Sequence, residues 1–345
     1  MPIRVLVAED SPVVQIVLRR IFAGCDDIEL VGMARTGKEA LDLLPRVRPD
    51  VVCTDLHMPE MDGLELTEEI MATMPRPILV LSASVQAEDT QNVFQVLNAG
   101  AVDVLPKPID SSVGNWDDLK HELLMKIRIL SGVAVFTHRR RTTPAVRVPT
   151  ITREERQRAY QILVVGASTG GPQALLSILS TIPHNFPVPI VCVQHISRGF
   201  LQGLVAWLNS ETKISVEIAS AGAIARPGTA YFPPEDKHLI FDRAGRFGYS
   251  NLPPLSGHRP SVTVLFESVA RCYGRRSVGV LLTGMGKDGA IGMLEIERSG
   301  GLTIAQDEAS SVVFGMPKEA IALKAAHYVL PLNEISPLLL QRVFR

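Results

Sequence analysis

Three side chains in the second half of the sequence could carry out hydrolysis together. Ser168 lies in the turn Gly166-Ala-Ser168-Thr-Gly170. This turn follows the apolar run Ile162-Leu-Val-Val and precedes Ala174, Leu175, Ile178 and Leu179 at helical spacing. A serine at such a strand-to-helix turn presents its hydroxyl beside free backbone N–H groups, as a nucleophile requires. The same spacing is close to a phosphate-binding glycine turn, so this segment alone leaves nucleophile and phosphate cradle as alternatives. A serine nucleophile needs a base and a group to orient the base. Of the eight histidines, His195 is best placed, because it ends the apolar run Ile190-Val-Cys-Val-Gln. His238 and His258 are rivals on less regular segments. Asp288, just beyond Val280-Leu-Leu-Thr-Gly-Met-Gly286, is the candidate orienting acid, with Asp307 as its competitor. Gly284 and Gly286 flank Met285, where backbone N–H groups could approach a developing oxyanion.

A second group of chemistry-bearing residues lies in the first half. Glu9 and Asp10 follow one strand-like run and Asp55 ends another. Ser82 ends a third, and Lys107-Pro108 follows a fourth. In an open parallel sheet, ligands bind outside the carboxyl ends of the strands. Three carboxylates converging there, with a hydroxyl and an ammonium beside them, suit Mg²⁺ and phosphate oxygens.

The elements that must position these groups alternate along the chain. Val5-Leu-Val-Ala, Asp50-Val-Val-Cys-Thr, Ile78-Leu-Val-Leu and Val102-Asp-Val-Leu read as strands. Pro12–Phe22, Lys38–Leu44, Leu64–Met74 and Asp117–Leu130 have helical periodicity. The alternation predicts an α/β fold with a doubly wound parallel sheet. It fails from about Gly132 to Arg158, where arginine and proline predict a linker. It then resumes with Gln161–Gly166, Pro189–Gln194 and Val278–Leu282, which predict a second, mainly parallel α/β sheet. Tyr231-Phe-Pro and His238-Leu-Ile-Phe read as a short hairpin. The expected division is a first domain over 1–125, a linker over 126–159 and a second domain over 160–345.

Composition narrows the function classes. The chain has 345 residues with 35 Lys and Arg against 36 Asp and Glu, so nothing favours nucleic acid or an anionic membrane. No apolar run approaches the roughly 18–20 residues that span a bilayer, and acids follow the first short apolar run too closely for a signal peptide. Cys25, Cys53, Cys192 and Cys272 are scattered, which argues against a disulfide framework or zinc site. A soluble cytoplasmic protein is expected, with neither nucleic-acid binding nor membrane insertion. The second half shows no helix-turn-helix pattern, which argues against a transcription factor.

Two resemblances sharpen this reading. Asp55-Leu-His-Met-Pro-Glu-Met-Asp-Gly63 and Leu105-Pro-Lys107-Pro108 resemble the phosphoacceptor and lysine loops of response-regulator receiver domains. The resemblance implies a flavodoxin-like sheet and phosphorylation of Asp55 by a histidine kinase. It further implies Mg²⁺ held by Glu9, Asp10, Asp55 and the backbone carbonyl of His57, with Ser82 and Lys107 as switch residues. Gly166–Gly171, Gln194-His195, Gly257–Ser261, Leu282–Gly286 with Asp288-Gly289, Ile304–Ala309 and Val313–Pro317 resemble the catalytic domain of the chemotaxis protein-glutamate methylesterase/protein-glutamine glutaminase family. That resemblance implies Ser168 as nucleophile, His195 as base and Asp288 as orienter. Met285 supplies the oxyanion donor, and Thr169 and His258 lie near the site. The implied substrates are methylated glutamates and glutamines of methyl-accepting chemoreceptors. No cofactor is expected in the catalytic domain, and the protein is expected to be a monomer recruited to receptor arrays. Thr263 stands where that family usually carries an aspartate, which bears on a local ion pair or substrate preference rather than on the triad.

Overall fold

The computed structural model describes residues 1–82, 87–107, 116–133 and 159–343. These form two compact units. In the first, five strands and five helices alternate: β1 (Ile3–Ala8), α1 (Pro12–Ala23), β2 (Ile28–Ala34), α2 (Gly37–Val47), β3 (Val51–Asp55), α3 (Gly63–Thr73), β4 (Ile78–Ser82), α4 (Ala87–Ala99), β5 (Asp103–Pro106) and α5 (Trp116–Leu130). The sheet order is β2-β1-β3-β4-β5, with every pairing parallel. Strands β3 and β4 are buried along their whole length, as continuous apolar runs with helices on both faces should be. The chain reverses its winding direction between β1 and β3, so Glu9, Asp10 and Asp55 emerge at the switch point, where such sheets bind ligands. The loop after Asp55 closes on a capping box. The Asp62 carboxylate accepts from the N–H groups of Leu64 and Glu65, and the Glu65 carboxylate accepts from the Asp62 N–H. Gly63 has no room for a Cβ, because the Asp55 carbonyl lies against it. Helix α5 runs to Leu130, past the expected boundary at 125, because Leu124, Ile127 and Leu130 continue its buried face. The expected linker is therefore helical at its start. Residues 134–158 of it, and Pro108, lie outside the described residues.

The second unit comprises β6 (Ile162–Ala167), α6 (Gly171–Leu179), β7 (Ile190–Gln194), α7 (Leu201–Glu211), β8 (Ser215–Ile218), β9 (Thr229–Phe232), β10 (His238–Phe241), β11 (Phe247–Ser250), α8 (Val262–Tyr273), β12 (Ser277–Leu281), α9 (Ala290–Arg298), β13 (Leu302–Gln306), α10 (Met316–Ala322), β14 (Tyr328–Leu330) and α11 (Leu332–Val343). Its seven-stranded sheet has the order β14-β13-β12-β6-β7-β9-β8 and is parallel throughout. The switch point lies between β6 and β12. The expected hairpin of the Tyr231 and His238 segments is not formed. Tyr231 belongs to β9, which pairs in parallel with β7 and β8. His238 begins β10, which pairs antiparallel with β11 in a separate two-stranded ribbon. The ribbon is tied to α8 through the Ser268 hydroxyl, which accepts from the Phe241 N–H at 2.6 Å. Val262, the first residue of α8, packs where Gly166 and Gly289 have no Cβ. Two glycines thus bring the start of that helix close to the ends of β6 and β12.

Candidate active site and phosphoacceptor pocket

Ser168 leaves β6 at the switch point. The tight turn is made at Gly170, with φ at +74°, so glycine takes the left-handed conformation and the serine does not. The Ser168 N–H donates to the Thr283 carbonyl at 3.0 Å, which joins the turn to the segment after β12. That segment lies directly against the serine: a Cβ on Gly284 would come 2.7 Å from Ser168 Cβ. A Cβ on Gly171 would collide with the side-chain oxygen of Gln194.

His195 follows β7, and its N–H donates to the Ala167 carbonyl at 3.0 Å, one residue before the serine. Its Nε2 lies 2.9 Å from Asp288 Oδ2. Its Nδ1 is buried with no hydrogen-bond partner among the described residues. The His258 ring stacks on it at 3.7 Å between centroids and 7° between planes. Asp288 is buried but fully engaged. Oδ1 accepts from the Ser261 hydroxyl at 2.8 Å and from the N–H groups of Thr263 and Gly289 at 3.0 Å each. Oδ2 accepts from the Val262 N–H at 2.8 Å as well as facing His195. Ser261, Val262 and Thr263 belong to the N-terminal end of α8, whose positive end favours an anion. Burial disfavours the charged carboxylate, but His195 and Thr263 outweigh it and hold Asp288 well below the ordinary carboxylate range. Thr263 has a definite role here: its hydroxyl accepts from the Gly289 N–H at 2.7 Å.

Two of the rivals, His238 and Asp307, are engaged with other partners. His238 is fully buried with both ring nitrogens engaged. Nδ1 accepts from the Ser261 N–H, so Nε2–H donates to the Pro253 carbonyl. Asp307 accepts from the Ser310 N–H and hydroxyl in the turn after β13. Gln194, Ser261 and Thr283 lie around the site without having been singled out from sequence. Only Ser261 carried a local signal, as a helix N-cap.

In the first unit, Lys107 Nζ donates to Asp55 Oδ2 at 2.7 Å and to Glu9 Oε1 at 2.9 Å, and all three groups are buried. The Lys107 N–H donates to the Ser82 carbonyl at 2.8 Å, which places those two residues on adjacent strand ends. Burial, with repulsion of Glu9 by Asp55 and of Asp55 by Asp10, holds the Glu9 and Asp55 carboxyls above their ordinary range despite Lys107. Burial works against the Lys107 charge, but the two carboxylates prevail and raise its pKa. Glu9, Asp10 and Asp55 offer carboxylate oxygens all within 4.8 Å of one another. Glu9 Oε2 is buried without a hydrogen-bond partner among the described residues. Three hard oxygen ligands, one of them unsatisfied, fit a small divalent cation such as Mg²⁺. His57 is exposed on the loop following Asp55.

A receiver-type pocket on one parallel sheet, and a serine turn beside a His195–Asp288 pair on another, describe a receiver joined to a second α/β unit. Residues 5–113 match the response regulator receiver domain, and residues 163–339 match the CheB methylesterase family. A protein-glutamate methylesterase/protein-glutamine glutaminase of Nitrosospira multiformis is 42% identical over 97% of this chain and 95% of its own length. One from Syntrophus aciditrophicus is 40% identical over 98% of each. The crystal structure of the Thermotoga maritima CheB methylesterase catalytic domain is 39% identical, with a TM-score of 0.52 over 54% of this chain and all of that one. The chain belongs to the CheB methylesterase family. Among the described residues, no helix is long and apolar enough to cross a membrane.

Proposed function

We propose that this chain is a phosphorylation-activated serine hydrolase of chemotaxis-type signalling. It demethylates glutamate methyl esters and deamidates glutamines on methyl-accepting chemoreceptors. The observation that carries the reading is the His195–Asp288 bond at 2.9 Å beside a serine turn against which Gly284 is packed.

Asp288, kept ionised by its donors, accepts from His195 Nε2–H. This fixes the tautomer and leaves the Nδ1 lone pair as the base. His195 Nδ1 takes the proton of Ser168 Oγ as that oxygen bonds to the γ-carbonyl carbon and the carbonyl π pair moves onto oxygen. The Ser168 and Gly284 N–H groups are both committed to backbone carbonyls. Met285 N–H, next in the chain, is the donor we assign to the oxyanion, with Thr169 beside it. Collapse of the tetrahedral adduct breaks the bond to methoxide, which leaves as methanol with the proton from His195. From glutamine, ammonia leaves in the same way. Water, deprotonated by His195, then attacks the acyl-enzyme and releases the glutamate carboxylate and Ser168. No cofactor takes part in these steps.

In the receiver, Asp55 accepts a phosphoryl group from a histidine kinase. Glu9, Asp10, Asp55 and the His57 backbone carbonyl would hold Mg²⁺, which neutralises charge on the transferring group. Lys107 then exchanges a carboxylate partner for a phosphoryl oxygen, and the Ser82 hydroxyl turns to another. The phosphoryl group adds up to about two negative charges to this pocket, which gives Ser82 and Lys107 their reason to move. We assign a receiver at the N-terminal end, a linker and a catalytic domain from about residue 160, in a cytoplasmic monomer recruited to receptor arrays. The test is turnover of a glutamate methyl ester and a glutamine in receptor-derived peptides. Wild type should release methanol and ammonia respectively, and Ser168→Ala should release neither.

A further inference from the structure

Gln194, the last residue of β7, is buried, yet half of its amide is unsatisfied. Its Nε2 donates to two main-chain carbonyls, those of Ser168 and His195, each at 2.8 Å. Both partners are acceptors, so the amide cannot be turned over, and Oε1 stays buried without a hydrogen-bond partner among the described residues. An unpaired buried oxygen is costly, and an apolar side chain of the same size would avoid it. Oε1 is directed at Gly171, the first residue of α6, where a Cβ would collide with it and the positive end of the helix gives only partial compensation. The last backbone rung between β6 and β7 is the His195 N–H to the Ala167 carbonyl. Gln194 supplies the next rung from its side chain, where the two backbones part toward the serine and the histidine.

We propose that Gln194 is a positioning residue for the esterase and amidase reaction, a clamp that fixes the separation of Ser168 from His195. This rests on the assignment of those two residues as nucleophile and base. Gln194 touches neither substrate nor the reacting atoms. Without it the two loops keep their sheet but lose their common anchor, and a displacement of about 1 Å between reacting groups lowers turnover by up to about 10²-fold.

The experiment compares full-length wild type, Ser168→Ala, Gln194→Leu, Gln194→Ala, Gly171→Ala and the Gly171→Ala/Gln194→Ala double variant. It measures kcat, KM and the rate at which a fluorophosphonate labels Ser168. Gln194→Leu should lower kcat on the order of 10- to 100-fold, slow labelling in parallel and leave KM within about twofold. Gly171→Ala, which displaces the amide without removing it, should mimic this loss; in the Gln194→Ala background its Cβ still meets Ala167 Cβ at 2.9 Å, so its added loss should shrink well below that seen in wild type without vanishing. A purely packing role would lower the melting temperature while kcat and labelling stayed at wild-type rates. That result, with Ser168→Ala inactive, overturns the clamp. Additive losses in the double variant would overturn it too. Should Gln194→Leu not fold, Gly171→Ala and the cycle carry the test. Turnover surviving in Ser168→Ala would instead overturn the nucleophile assignment on which the clamp rests.

Discussion

Exchanging Asp288 for asparagine changes one atom and separates the acid's two roles. The carboxylate accepts five hydrogen bonds, three at Oδ1 and two at Oδ2. An asparagine that keeps its oxygen at Oδ1 retains Ser261, Thr263 and Gly289. Its amide group then faces the Val262 N–H and His195 Nε2. One donor–donor conflict inside the protein costs about 1–3 kcal/mol, or a few degrees of melting temperature for a domain of this size. The catalytic loss is far larger. The amide donates to Nε2, so the proton moves to Nδ1, the nitrogen that must take the serine proton. In a Ser–His–Asp hydrolase the corresponding exchange lowers kcat by about 10⁴, which is ~5.5 kcal/mol. Activated-ester hydrolysis and methanol release, read beside a melting curve, should therefore show a nearly intact fold with about 10⁻⁴ of the turnover. Turnover within tenfold of wild type would refute both the tautomer argument and the role of Asp288.

Five further outcomes are expected. Ser168→Ala should lose several orders of magnitude in esterase and amidase turnover with little change in melting temperature, checked on both substrates. Gly284→Ala places a Cβ 2.7 Å from Ser168 Cβ and 2.5 Å from Met316 Sδ, so activity should fall at least tenfold in the same assays. The Asp288 pKa is lowered by folding, so its contribution to stability is full above about pH 4 and fades as pH falls toward the folded value. Acid unfolding of the second unit should accordingly lose part of its pH dependence in Asp288→Asn, followed by circular dichroism between about pH 2 and 5. Glu9→Gln should weaken Mg²⁺ binding measured by calorimetry, and Asp55→Asn should abolish activation by a small-molecule phosphodonor without lowering basal activity.

The parts of the fold legible in the sequence are those whose burial is local. Val51–Asp55, Ile78–Ser82 and Ile190–Gln194 are continuous apolar runs because both faces of a central parallel strand are covered. Edge strands leave no such trace. β2 is half-exposed along most of its length, and β14 has three residues, none of them fully buried. Neither stood out. The Tyr231 and His238 segments were read as one hairpin because they are close in sequence, whereas their ladders are set by β7 and by Phe247–Ser250. The site was legible where glycine, serine and acid fall at strand ends, which brought Ser168, His195, Asp288, Glu9, Asp10, Asp55, Ser82 and Lys107 into view. The sequence already ranked Asp288 above Asp307 and His195 above His238; the structure adds the hydrogen-bond partners of each. The two bonds of the Gln194 amide are set by β6–β7 register, which no local pattern encodes.

The most direct measurement follows methanol released from methyl-labelled chemoreceptor membranes by wild-type protein, with and without a phosphodonor, beside Ser168→Ala and Asp55→Asn. Wild type should release methanol slowly and accelerate with phosphodonor, by roughly 5- to 150-fold if the coupling is of ordinary size. Asp55→Asn should stay at the basal rate and Ser168→Ala should release none. Methanol release by Ser168→Ala at the wild-type rate, or none from wild type with phosphodonor present, would contradict the account.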